Sequence, residues 1–564
     1  MRGFFFMFFT IRQQIQELIK QSLPNLQGED VVPISVHIDV PTDKSHGELT
    51  CNIALQLSRV LKKNPMAIAG DIFVKLKTNL EQHSLRDFIA NIEVKQPGFI
   101  NFYFSPKAFY SILEAVLNTK DSYGCSDYGR QTPFCLEFVS ANPTGPLTVA
   151  HGRQAAVGDS LVNILNAVGF KAQKEYYVND EGNQINILGR SIYYRAQEIL
   201  GKSPEFPEDH YQGDYIRTIA QEFIKKNGVK SLANLEKIDQ GQFRQFGVDY
   251  LMDVIKKDLE DFSVYFDTWS YQSKIATNSA IEGLLKEFQT KKYVYENEGA
   301  LWFKSTQWGD DKDRVVKKSS GEYTYLAPDI VYHKNKFARG FKRIINILGP
   351  DHHGYIPRIK AAAAALGHSV DDLDVVIVQL ATIYRDGKPI SMSTRRGEFI
   401  SLREVMDEVG KDAGRFFFLM RQTNAHLEFD LELAKKNSSE NPVFYIQYAH
   451  ARIHSIIRKA QEEVKLSVKL KDFKCLKEVE EIDIMRKIAL YPEVLVACAK
   501  QLDPFALVRY LQELAGCFHK FYDAYRVLDE NKDISIERLS LIESVRIILG
   551  SGLKLLGVST PEKM

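Results

Sequence analysis

Long apolar runs are missing from this chain of 564 residues. No stretch reaches the roughly 18 apolar residues of a membrane-crossing helix, so no membrane span is expected. Cysteine is sparse: Cys51, Cys125, Cys135, Cys475, Cys498 and Cys517 form no C-x-x-C pair, and no histidine stands at zinc spacing. A disulfide scaffold is thereby excluded, and Cys135 and Cys498, in apolar surroundings, read as buried thiols suited to a reducing cytoplasm. Net charge is nearly absent, with 73 Lys and Arg against 72 Asp and Glu. A balance of +1 neither demands nor forbids nucleic acid, because a local basic groove can coexist with an acidic surface. The opening MRGFFFMFFT lacks a small-residue cleavage site, and the amphipathic IRQQIQELIKQSL follows directly, so a cleaved signal is not expected.

What is present is an ordinary globular composition, 45% hydrophobic and 26% charged, at a length suited to about three or four domains. Residues 10–110 mix strands (Val36–Val40, Phe99–Phe104) with helices around Leu55–Leu61 and Ala67–Leu76, an α+β pattern. Asp121–Thr132 reads as a linker. Residues 133–190 form a β-α-β unit. The apolar run Cys135–Val139 is a strand, Pro143, Gly145 and Pro146 break it, and helical spacing of apolar residues begins from Gly152. Lys174–Val178 is the next strand. Polar, helical sequence from about 195 to 300 reads as an insertion. A second β-α-β pattern follows it: Arg343–Leu348, Ile356–Leu366 and Val375–Leu380. The expected fold is therefore α/β, one doubly wound parallel sheet, with an N-terminal α+β domain and a C-terminal all-helical domain. The expected divisions are 1–112, 113–400 and 401–564.

The segment EFVSANPTGPLTVAHGRQAAVGD (Glu137–Asp159) places His151 at the mouth of the first crossover helix, where an anion can bind. With YYVNDEGNQI (Tyr176–Ile185), GEYTYLAPDIVYHKNKF (Gly321–Phe337), LGPDHHGYIPR (Leu348–Arg358), QLATIYRDGKPISMSTRRGEF (Gln379–Phe399) and NPVFYIQYAHARI (Asn441–Ile453), it resembles the arginyl-tRNA synthetases, of class I, in order and over almost the whole chain. Two departures stand out. The family's His-x-Gly-His tetrapeptide is Thr148-Val149-Ala150-His151 here, and its Lys-Met-Ser-Lys loop is Ser391-Met392-Ser393-Thr394.

The resemblance implies a Rossmann-type catalytic domain that activates L-arginine with ATP and transfers it to tRNA(Arg). An N-terminal domain would grip the tRNA, and a helical domain would read the anticodon. It implies ATP-binding at Pro143, Gly145, Thr148, His151, Gly152, Gly349, Asp351, His353, Met392 and Ser393, and arginine-binding at Glu137, Asn142, Tyr325 and Asp329. A guanidinium is planar and permanently charged, so carboxylates and an aromatic surface are the groups to expect around it. Taken alone, Asp329 could equally be a helix-start carboxylate after Pro328. Catalysis would fall to His151 with Arg395 or Arg396, the latter standing where relatives have lysine. Tyr448 and Arg452, four apart on one helical face, are the expected tRNA contacts. Mg²⁺ would come with ATP. The pair His352-His353 has no obvious third ligand, so no structural metal is expected. The expected protein is a cytoplasmic monomer with no membrane partner. A non-catalytic tRNA- or arginine-binding relative, or a small-molecule adenylyltransferase, is the competing reading. Retention of His151, Tyr325 and Asp329 opposes the first, and the long helical C-terminal region opposes the second.

Overall fold

The computed structural model describes residues 7–24, 35–390, 400–470 and 472–564. Its centre is a five-stranded parallel sheet in the spatial order Leu373–Ile377, Arg343–Leu348, Pro133–Glu137, Lys171–Val178 and Thr268–Tyr271. The two central strands are largely apolar because both of their faces are covered. Cys135, Leu136, Ile344 and Ile345 are fully buried. The chain leaves Pro133–Glu137 in one direction and Arg343–Leu348 in the other. A crevice consequently opens at their carboxyl ends, the switch point where such sheets bind ligands.

Thr268–Tyr271 departs from expectation. It pairs with Lys171–Val178 and completes the sheet from within the stretch expected to be a pure insertion. Four residues at a sheet edge, all hydroxyl-bearing or aromatic, are too few to show a strand period. The inserted material lies on either side of it. Helices Asn183–Ile199, Asp214–Lys226 and Gln240–Asp261 precede it, and a three-stranded antiparallel sheet follows, made of Val294–Asn297, Ala300–Phe303 and Arg314–Lys317. Similarly, the region after 400 is not wholly helical. Leu427–Asp430 pairs in parallel with Ala381–Arg385 in a small second sheet.

The helix Val149–Ala167 is pinned by two buried arginines. Arg153 donates to the carbonyls of Gln379 (2.7 Å), Ala425 (3.0 Å) and Gln422 (3.0 Å). Arg415 pairs with Asp159 and donates to the carbonyls of Leu556 and Phe262, each at 2.9 Å. These guanidiniums satisfy carbonyls that would otherwise be buried unpaired, and they tie the helix to the segments beyond the sheet. The C-terminal helices Pro442–Lys459, Val479–Gln501, Phe505–Ala524 and Lys532–Leu555 pack as a bundle. The N-terminal module carries a four-stranded antiparallel sheet, Ile38–Asp39, Leu49–Cys51, Phe99–Phe104 and Ile89–Lys95 in spatial order. It docks on the bundle through Glu48, which accepts from Arg486 (2.6 Å) and from the Phe104 amide (2.6 Å), with Lys44–Asp483 (2.6 Å) alongside. All six cysteines are free thiols, with Cys51, Cys135 and Cys498 buried. Among the described residues no helix is long and apolar enough to cross a membrane.

Candidate active site

A cleft of about 770 Å³ occupies the switch point, a volume typical of ligand sites. Its floor is the turn after Pro133–Glu137. There Val139 (φ 66°) and Ser140 (φ 40°) lie in the left-handed region, which a β-branched residue enters at a cost of about 1–3 kcal/mol. The surroundings over-determine this turn. The Ser140 hydroxyl donates to Glu137 (3.1 Å) and accepts from the Tyr177 amide (3.1 Å), while the Tyr176 hydroxyl donates to the Ala141 carbonyl (2.9 Å). Strain retained at a ligand site fixes the backbone before the substrate arrives.

His151 forms the second wall as the third residue of its helix. Its Nδ1 accepts from the Thr148 amide at 3.1 Å, closing an unusual capping box in which histidine does the work of the usual glutamate or glutamine. An Nδ1 that accepts leaves the proton on Nε2, so His151 offers the cleft a neutral N–H donor. Burial lowers its pKa to about 4, and the imidazole brings no charge at neutral pH.

The third wall is the helix Leu326–Ala338. Tyr325 caps it and is 76% exposed, while Asp329 lies in its first turn. The Asp329 carboxylate accepts from the Tyr355 hydroxyl and has no ion-pair partner among the described residues. Burial raises its pKa to about 6, with the nearby Glu137 charge adding to the effect. Beneath it runs a connected polar chain. Glu137 is paired with the fully buried Lys336 at 2.5 Å, and Lys336 also donates to Asn346 (3.2 Å). Asn346 meets His333 Nε2 at 2.9 Å, and His333 Nδ1 contacts the Asp329 carbonyl at 2.9 Å. Burial holds His333 neutral, with a pKa near 3.

The cleft thus brings together Glu137, Asn142, Tyr325 and Asp329 with His151, Gly349 and Asp351. Pro143, Gly145, Thr148, Gly152 and His353 do not line it. Gly152 faces the other way, and a Cβ there would meet Leu402 at 2.7 Å and Phe418 at 3.1 Å, so this glycine serves close packing. Gly145 lies against the Tyr215 hydroxyl, and Thr148 acts through His151. Met392, Ser393, Arg395 and Arg396 fall outside the described residues. Tyr355, Gln154, Asn346 and Arg358 line the cleft although their spacing gave no signal, and Tyr355 and Arg358 stand within the quoted LGPDHHGYIPR.

Three family models cover the chain in succession: the arginyl tRNA synthetase N terminal domain over residues 13–104, the class I (R) tRNA synthetase catalytic domain over 112–450, and the DALR anticodon binding domain over 446–564. The arginine–tRNA ligase of Geobacter sp. (strain M21) is 44% identical over 532 residues, covering 94% of this chain and 95% of that protein. The chain belongs to the arginyl-tRNA synthetase family. The arginine–tRNA ligase of Bacillus subtilis (strain 168) is 41% identical, covering 98% of this chain and 100% of its own length. Among solved structures, a putative arginyl-tRNA synthetase from Campylobacter jejuni matches 82% of this chain and all of its own, with a TM-score of 0.74 and 35% identity. The Thermus thermophilus arginyl-tRNA synthetase, at 21% identity and a TM-score of 0.76, covers 98% of this chain and 100% of its own and supports the fold alone.

Within the synthetase's helical domain, Tyr448 and Arg452 share a face of Pro442–Lys459. Arg452 donates to the Tyr448 hydroxyl, and its guanidinium lies 5.1 Å from the Tyr448 ring and 5.4 Å from the Tyr522 ring. Among the described residues no group of three or more His, Cys, Asp or Glu is placed to hold a metal ion.

Proposed function

We infer that this enzyme joins L-arginine to tRNA(Arg) at the expense of ATP. The observation that carries the reading is the Asp329 carboxylate, partly buried in the cleft without a cation of its own. Glu137 and Lys336 cancel one another, so the arginine end of the cleft holds one uncompensated negative charge, the complement of one guanidinium. Tyr325 offers the aromatic surface, and Glu137 and Asn142 are the acidic and amide groups that hold the substrate's guanidinium and its α-amino end. With arginine so held, its carboxylate oxygen attacks the α-phosphorus of ATP and pyrophosphate leaves, giving arginyl-adenylate. The terminal ribose hydroxyl of tRNA, the 2′-hydroxyl in class I chemistry, then attacks the carbonyl and AMP departs. His151 Nε2–H donates to a phosphoryl oxygen at the helix start, and Gly349 and Asp351 border the nucleotide end.

Mg²⁺ arrives with the triphosphate, its ligands mainly phosphate and water. Arg395 and Arg396 supply charge at the leaving pyrophosphate in place of the lysines absent at 391 and 394, and Tyr448 and Arg452 contact unpaired bases. The working unit is a cytoplasmic monomer divided as 1–112, 113–400 and 401–564; the family matches agree with the first division and put the second near residue 450. Arginine-dependent ATP–pyrophosphate exchange, measured with tRNA present, tests the reading. No exchange under saturating substrates sinks it.

A further inference from the structure

Two arginines line the cleft among the described residues, and they differ in how they are engaged. Arg314 is spent on Asp310, with two contacts at 2.8 Å, and on Asp311. Arg358 forms no ion pair among the described residues, and its buried Nε has no hydrogen-bond acceptor. A buried, unsatisfied guanidinium N–H is costly enough that such a group is rarely left without a purpose.

Its placement says what could satisfy it. Arg358 is in the first turn of Ile356–Ala365, just past the carboxyl end of Arg343–Leu348. Its guanidinium lies 5.8 Å from the centroid of the Tyr355 ring, whose hydroxyl donates to Asp329. The same side chain therefore touches a free cation and a free carboxylate. Arginine's own guanidinium is repelled by Arg358, so the partner of Arg358 is an anion. A planar fork of N–H donors matches phosphate oxygens. His151 is neutral, which leaves the described part of the cleft with no other uncommitted arginine or lysine to meet phosphate charge.

We propose that Arg358 binds a phosphoryl oxygen in the cleft, carried either by ATP or by the terminal nucleotide of the tRNA. The proposal rests on the reaction inferred above. Its test compares wild type, Arg358→Gln and Arg358→Lys as full-length proteins. ATP binding is read by calorimetry and tRNA binding by filter retention, alongside KM values for ATP, tRNA and arginine in aminoacylation. Loss of one charge-assisted contact weakens ATP or tRNA, whichever carries the phosphate, by about tenfold to a hundredfold in Arg358→Gln. Arginine KM stays within about twofold, and Arg358→Lys recovers part of the loss. Unchanged binding of both ATP and tRNA overturns the proposal. So does a change confined to arginine, or a uniform fall in all three with a lowered melting temperature. An inactive wild type would strike the proposed reaction instead, and the binding measurements would still decide the role of Arg358.

Discussion

The charge on Asp329 should govern arginine affinity, and its raised pKa makes that dependence visible near neutral pH. The carboxyl titrates near pH 6 in the free enzyme because burial disfavours its charged form. The buried histidines and tyrosines around it do not titrate between about pH 5 and pH 8. His333 and His151 are neutral above about pH 4, and Tyr355 and Tyr177 are pushed up by burial. The guanidinium binds the ionised form, so protonation competes with arginine. At pH 5 only about one carboxyl in ten is ionised, and KM for arginine should stand about tenfold above its value at pH 8. Asp329→Asn should remove this slope and raise KM by at least about a hundredfold, because the guanidinium would enter without a counter-charge, at about 3–5 kcal/mol. Stability moves the opposite way. A folded pKa raised from 3.8 to about 6 means the folded state binds the proton more tightly, so the penalty is absent below about pH 4 and complete above about pH 6. It amounts to about 3 kcal/mol, and Asp329→Asn should therefore melt higher than wild type at pH 8. The assays are arginine KM in pyrophosphate exchange across this pH range and thermal melting at both ends. An arginine KM flat from pH 5 to pH 8 in the wild type, or an asparagine variant that keeps wild-type affinity, would refute the reasoning.

Other perturbations read separate parts of the cleft. His151→Ala should slow activation by about 2–4 kcal/mol through the lost Nε2–H donor, checked by single-turnover adenylate formation. Since His151 is neutral above about pH 4, the wild-type activation rate should show no acid limb from it above about pH 5. Lys336→Met should destabilise the protein by about 3–5 kcal/mol by stranding the Glu137 charge, and adding Glu137→Gln should restore much of the loss in denaturant melts. Gly152→Ala should cost about 1–3 kcal/mol by forcing Leu402 and Phe418 apart, with arginine KM unchanged in the folded fraction. Arg396→Ala should lower the activation rate by about 2–4 kcal/mol, and an unchanged rate would mean the leaving pyrophosphate draws its positive charge from elsewhere.

The strands at the switch point could be read from the chain because both are buried on two faces and therefore written as continuous apolar runs. What escaped was short or local. Thr268–Tyr271 and Leu427–Asp430, four residues each, derive their conformation from a neighbour's edge rather than from a period of their own. The run Cys135–Val139 predicts a strand that begins and ends two residues too late. Pairing ends at Glu137, and Val139 is bent into the left-handed region against its propensity by hydrogen bonds from Ser140 and Tyr176. The carboxylates of the site could be placed by motif, but not the state of either one. Glu137 meets its cation 199 residues away, a pairing that no spacing rule contains.

That distant pairing decides how the cleft counts charge. Glu137 and Lys336 cancel, Arg314 and Asp310 cancel, and His151 contributes a dipole without a charge. Among the described residues Asp329, Asp351 and Arg358 then line the cleft without an ion pair, and the Tyr355 ring touches two of them, Asp329 through its hydroxyl and Arg358 at 5.8 Å from its centroid. The substrates bring the matching pair, one guanidinium and a set of phosphoryl oxygens. A protonated His151 would compete with Arg358 for the phosphate. The neutrality of His151 is therefore not damage to a histidine motif. With Nδ1 occupied by the Thr148 amide, the ring is oriented and its proton fixed on Nε2, so the donor is set before any nucleotide enters and needs no proton from solvent. If Arg358 binds phosphate as proposed, the positive charge demanded by phosphoryl transfer comes from guanidiniums, which stay charged at every pH at which the enzyme can work.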